Sequence, residues 1–198
     1  LGLVVDVETT GLDHQRDEII ELAMTPFNYG LDGTIFSVGD SFQGLRQPSE
    51  PIAPEITAIT GITNEMVAGQ MVDPAAVASF AAPASLIIAH NAAFDRRFLE
   101  RFNDVFSTKP WACSLSQIDW AAEGFEGTKL AYLAQAAGFS TTATARCTTA
   151  LLRSSCWQWG CPDLALRVLA ASWTALVPFR GASGRRTCTS TSRMSPKH

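Results

Sequence analysis

Leu3-Val4-Val5-Asp6-Val7-Glu8-Thr9-Thr10-Gly11-Leu12-Asp13 decides how this chain is read. A run of apolar, largely β-branched residues delivers two carboxylates, Asp6 and Glu8, at i and i+2, then breaks at Gly11. Side chains two apart on a strand leave the same face. Both acids therefore point one way, at the end of a buried first strand. Like charges held side by side repel, and a fold tolerates that best when a divalent cation sits between them. The plainer alternative is a strand end whose acids face water. A third acid in a matching context, in His90-Asn91-Ala92-Ala93-Phe94-Asp95, favours the cation.

Working outward, residues 3–8 form strand one, 18–24 strand two and 34–38 the start of strand three, with a turn at 30–33, which makes an antiparallel meander. Residues 54–61 read as a short helix stopped by Gly61, and 63–67 as another begun by a Thr63 cap. Asp73 caps a helix over 74–80, with Pro74 at its first position. The all-apolar run at 85–90 predicts a central strand buried on both faces. Asn91 then caps a helix to about Phe102, with Phe94, Phe98, Leu99 and Phe102 on one face. A further strand at 111–115 and a helix over 129–138 complete the regular text.

The 198 residues suffice for one domain with a sizeable core. No apolar run is long and clean enough to span a bilayer. The chain starts with Leu1, and Leu1 to Val5 is too short for a signal-peptide core before Asp6 interrupts it. The start is expected to be clipped, and the location cytoplasmic. Composition breaks sharply after Phe139: residues 1–139 hold eighteen of the nineteen acids and seven of the fifteen bases, whereas 140–198 hold only Asp163 against eight bases. Four of the five cysteines (Cys147, Cys156, Cys161, Cys188) also follow Phe139, in a spacing that matches no strong zinc pattern. Residues 164–177 can form a helix, with Arg167 and Trp173 fitting it indifferently, and 181–198 read as a disordered basic tail.

Together the motifs resemble the DnaQ-like (DEDDh) 3′–5′ exonucleases, a family of proofreading-subunit type. The first family motif, Asp-x-Glu, stands here as Asp6-Val7-Glu8. The second ends at Asp95, just inside a helix. The resemblance covers about residues 1–139 and implies an α/β, RNase H-like mixed sheet flanked by helices. Residues 140–198 form a separate, atypical segment.

Phosphodiester cleavage by two metal ions needs acids that hold the ions about 3.5–4 Å apart and a group to take a proton from the attacking water. Asp6 is the candidate to bridge both ions, with Glu8 and Asp95 as ligands to one or the other. All-oxygen ligands point to two Mg²⁺ or Mn²⁺. The resemblance implies substrate contacts from Thr9 (backbone amide), Leu12 (apolar wedge), Ile62, Asn91 and Phe94. It also implies a single-stranded DNA or RNA 3′ end as substrate, and a DNA polymerase subunit as partner. Each residue has a plainer reading. Phe94 fits the core better than a base-stacking platform, Asn91 is a helix cap first, and His90 ends a buried strand as a satisfied structural histidine. Arg96, Arg97 and Arg101 suit phosphates or a solvated helix face equally well.

The family's third motif, His-x-Ala-x-x-Asp or its Tyr variant, should lie near the C-terminus; the one match to that pattern is His90 to Asp95, already read as the second motif, and none follows it. Reading the codons implied by residues 140–150 from each third base permits H-D-G-H-R-A-V-H-D-C, which contains the motif just after the helix expected to end at Gly138. The same shift forces Leu from Cys156–Trp157, Ala from Trp157–Gln158 and Gly from Trp159–Gly160. A single-base shift near codon 140 thus accounts for the charge reversal, the clustered cysteines and the missing motif, and it predicts weak or no activity and reduced stability. A genuine divergent tail, such as a basic nucleic-acid tether, is the competing account. Two other functions fit the acids less fully: a non-catalytic nucleic-acid-binding domain that keeps the fold, and a metal-dependent hydrolase of some other phosphodiester.

Overall fold

The computed structural model describes residues 1–30 and 35–136. The expected features at 31–34 and beyond Ala136, including the helix stop at Gly138, the boundary at Phe139, the helix at 164–177 and the basic tail, lie outside them.

β1 (Gly2–Thr9) is the spine of a mixed sheet. On one edge it pairs antiparallel with β2 (Ile19–Tyr29), and on the other it runs parallel to β5 (Leu86–Ala89), which pairs in parallel with β6 (Trp111–Cys113). β3 (Ile35–Val38) and β4 (Phe42–Leu45) share the far edge of β2. Between the strands lie helices α1 (Pro54–Thr60), α2 (Asn64–Val67), α3 (Pro74–Ala81) and α4 (Ala92–Phe102), a 3₁₀ turn at Asp104–Phe106 and helix α5 (Leu130–Ala136). The expected RNase H-like mixed sheet flanked by helices is what forms.

Alternation along β1 divides the core. Leu3, Val5 and Val7 pack with Leu22, Met24, Ile87 and the α4 residues Phe98 and Leu99. Val4 packs on the opposite face with Phe27, Ile35, Leu86, Ile88 and Ala112. Asp6 and Glu8 continue the Val4 face by strand periodicity. Every residue of β5 is buried, as its unbroken apolar run predicts.

Local signals set the helix ends. Gly61 stops α1 in a left-handed conformation (φ 74°), its N–H donating to the Thr57 carbonyl. The Thr63 hydroxyl accepts from Met66 N–H, and Asp73 accepts from Ala75 N–H ahead of Pro74.

Two strand features depart from the sequence reading. β2 runs past its expected end at Met24 to Tyr29, straight through Pro26. β2 pairs with β4 over 21–24 and with β3 over 27–29, so Pro26, which has no N–H to give, falls where the partner changes. β4 itself was not expected. Its four residues include Gly44, and it exists as a strand because the edge of β2 gives it partners.

Candidate active site

The site is built where β1 and β5 part. Their pairing ends at Val4–Ile88, whereas β1 stays paired with β2 through Thr9. Among the described residues the edge of β1 beyond Val4 therefore has no strand partner, at the C-terminal ends of parallel strands, the usual place for a ligand crevice in an α/β sheet. Asp95, in the first turn of α4, fills that edge. Its Oδ1 accepts from Val7 N–H at 3.1 Å, and the side chain is 3% exposed. The acid from the helix and the two from the strand are thus brought together across 88 residues of sequence.

These carboxylates are held without neutralisation. Among the described residues the ion pairs are Arg16–Asp13, Arg46–Glu18 and Arg96–Glu100, and none reaches Asp6, Glu8 or Asp95. Burial first, then repulsion from Asp95, Glu8 and Glu21, pushes the Asp6 carboxyl well above its usual range. Burial and the facing Glu21 lift Glu8 to about 7. Burial also lifts Asp95 to about 7, with Glu8 adding to it, against the amides of Val7 and Asp95, which favour the charged form. Among the described residues no three such side chains close into a ready cage. The donor set nevertheless suits hard divalent cations, since it offers clustered oxygen donors whose charge no base among the described residues offsets.

The β1–β2 register adds an acid that the sequence reading missed. Glu21 lies directly opposite Glu8 and is 8% exposed, with Oε1 accepting from Gln43 Nε2 at 2.7 Å. Only the register reveals it, because locally Glu21 is one polar residue within an apolar strand.

The loop after β1 carries the substrate candidates. A bulge shifts the register between Glu8 and Thr9. Thr9 is buried and its hydroxyl donates to the Gly11 carbonyl at 2.6 Å. Leu12 stands 85% exposed, an apolar side chain with no core to fill. Asp17 ties the loop together, accepting from Thr10 Oγ1 (3.2 Å) and Asp13 N–H (2.8 Å). Arg101 of α4 donates to the carbonyls of His14 and Asp17. That arginine is engaged in holding the loop, Arg96 is paired with Glu100 at 2.7 Å, and Arg97 is exposed.

Asn91 sits at the expected N-cap position, just before Ala92, but does not cap the helix through its side chain. Its backbone is left-handed (φ 73°, ψ 48°) and its side chain makes no capping bond, the carbonyl instead accepting from Phe94 N–H at 2.8 Å. Asparagine tolerates that conformation better than most residues, and the exposed amide is left unengaged by the helix. Phe94 is half-buried against the main core, with its ring 4.9 Å from that of Phe98. Ile62 is 4% exposed and packs with Ile20, Ile52 and Val67, so its side chain is committed to a small core of its own. His90 is satisfied on both nitrogens: Nε2 donates to the Thr128 carbonyl and Nδ1 accepts from Ser114 Oγ, each at 2.9 Å. Burial lowers its pKa, against the Thr128 bond, so the ring is neutral near pH 7.

The exonuclease family designated RNase T matches residues 3–144. DNA polymerase III PolC-type of Thermotoga maritima is 35% identical over 120 residues, covering 60% of this chain and 8% of that protein. The Bacillus subtilis protein of the same name is 36% identical over 99 residues, 49% of this chain and 6% of that one. The chain thus spans less than a tenth of these relatives. Among solved structures, Exonuclease X in complex with 5′ overhanging duplex DNA superposes with a TM-score of 0.50 at 24% identity, over 86% of this chain and 99% of that one. E. coli Exonuclease I in complex with a dT13 oligonucleotide gives 0.60 at 16% identity, over 87% and 40%. At such identities the superpositions speak for the fold. The matched span and the separately located acids lead to one assignment: this chain belongs to the DnaQ-like, RNase T-type exonuclease family.

Proposed function

We propose that the chain carries a two-metal-ion 3′–5′ exonuclease site that releases nucleoside monophosphates from single-stranded DNA or RNA 3′ ends, in impaired form. The observation that carries this reading is Asp95 anchored on Val7 N–H beside Asp6 and Glu8, three acids with no basic partner among the described residues. Asp6, Glu8 and Asp95 would hold two Mg²⁺ or Mn²⁺, with Asp6 as the acid shared between the ions and Glu8 and Asp95 as further ligands. The ions, when bound, supply an activated water and charge stabilisation at the leaving oxygen. The chain's own contribution is placement: β1 fixes two ligands on one face, and the amide of Val7 fixes the third. Leu12, exposed at the mouth of the loop, serves as the apolar wedge against the terminal nucleotide, with the Thr9 amide, Asn91, Phe94 and the segment at Ile62 bordering it.

The impairment follows from the missing third motif. Residues 1–139 are the exonuclease core and 140–198 the out-of-frame segment. Loss of a general base costs about 10²–10⁴ in rate, and loss of a ligand adds to it. The DNA complexes of the fold neighbours and the polymerase relatives support DNA as the substrate and association with a polymerase; action at the 3′ end and a cytoplasmic location belong to the proposal. Among the described residues no helix is long and apolar enough to cross a membrane.

The test is release of nucleoside monophosphates from a 3′-labelled oligonucleotide with Mg²⁺ or Mn²⁺. The 198-residue chain should barely exceed its Asp6→Ala variant, and ready degradation would refute the impairment. Binding of single strands that needs no metal and ignores Asp6→Ala would favour a non-catalytic binding domain instead.

A further inference from the structure

We propose that Glu21 is a positioning residue of this carboxylate site, an outer-shell acceptor for the water around a cation at Asp6 and Glu8. The inference rests on the metal reading of those acids and extends it to a fourth. Glu21 faces Glu8 directly across the β1–β2 pair, on the face that also carries Asp6. It is 8% exposed, and Gln43 of β4 pins Oε1 at 2.7 Å. Among the described residues that is its one side-chain hydrogen bond, and no lysine or arginine pairs with it.

Like charges placed opposite one another on a sheet are destabilising. A side chain needed here only for packing or for the Gln43 bond would be served better by glutamine, which has the same shape and no charge. Gln43 moreover spends a donor on holding the carboxylate in place. A fixed, buried carboxylate beside candidate ligands is the arrangement by which outer-shell groups orient a metal's water.

The experiment uses the full 198-residue chain with no nucleic acid, following Mn²⁺ binding by paramagnetic resonance of the free ion and melting in the Mn²⁺-free state. Glu21→Gln should move the two readouts in opposite directions. Removing the repulsion raises the melting temperature of the Mn²⁺-free chain at pH 8, while Mn²⁺ binding weakens about tenfold or more. A merely structural glutamate cannot give that pattern. Mn²⁺ affinity within twofold of the parent would overturn the proposal, whatever the melting temperature does. Should Glu21→Gln fail to fold, Gln43→Leu decides, since it keeps the charge but unpins it: a several-fold weaker affinity supports the role, and unchanged affinity overturns it. An Asp6→Ala chain that binds Mn²⁺ as tightly as the parent would instead sink the metal reading and Glu21 with it.

Discussion

Asp95 and Glu8 each have a folded-state value near 7, against ordinary values of 3.8 and 4.5. The folded chain therefore holds protons that the unfolded chain releases between about pH 4 and 7, so stability falls as pH rises through that window. Burial is the first cause and repulsion adds to it; a cation at the site would offset both by favouring the charged carboxylates. Cation-free protein should melt lower at pH 8 than at pH 5, and Mn²⁺ should raise the melting temperature most at pH 8. Calorimetric scans at the two pH values, with and without Mn²⁺, check this, and a response to Mn²⁺ that ignores pH would contradict it. Leu12 tests the opposite extreme. Being 85% exposed, it can become alanine within about 0.5 kcal/mol of stability, yet single-strand binding, followed by fluorescence anisotropy, should weaken. That Asp6 and Glu8 share a face was legible because strand periodicity carries it, and Asp95 because its segment resembles the family's second motif. Glu21 was not, because its meaning depends on register with another strand, and no local pattern encodes that.

The elements that frame the site are fixed by a few polar ties. A Cβ at Gly11 would lie 2.4 Å from Asp17 Oδ2, the carboxylate that organises the whole turn after β1. Gly11→Ala should cost about 1–3 kcal/mol, the usual penalty for overpacking, readable in urea unfolding. Arg101→Ala removes two bonds to loop carbonyls, each worth on the order of 1 kcal/mol. Trypsin should then cut faster after Arg16, whose side chain is already 89% exposed. An unchanged cleavage rate would mean that Asp17 alone secures the loop. Helix boundaries were readable at Gly61, Thr63 and Asp73 because caps are short-range chemistry. β4 and the continuation of β2 through Pro26 were not, since both depend on which neighbour each stretch of β2 meets.

For the molecule as a whole, the sheet presents two apolar faces, one lined by Leu3, Val5 and Val7 and covered in part by α4, the other by Val4, Ile88, Leu86 and Ala112. Asp6, Glu8 and Glu21 belong to the second, whereas Asp95 comes from α4, the helix that covers the first. A protein translated from the shifted frame after Phe139 should regain the His-x-Ala-x-x-Asp motif. Its activity on a single-stranded 3′ end should exceed that of the present chain by about 10²–10⁴, with a higher melting temperature. If the repaired protein is no more active, the loss lies elsewhere in the chain. The architecture was legible because two motifs and the order of elements between them agree. The function of the final third was not, because its text lacks the periodicity from which elements are inferred.

Asp95 is held by a main-chain amide, that of Val7. Mutational scanning would therefore misreport the importance of position 7: valine can be exchanged for other apolar residues and the tether survives, since every amino acid but one offers the same N–H. Proline is the exception. A scan in which Val7 tolerates isoleucine or leucine while Val7→Pro behaves like Asp95→Ala would reveal a functional contact that side-chain substitution otherwise leaves invisible.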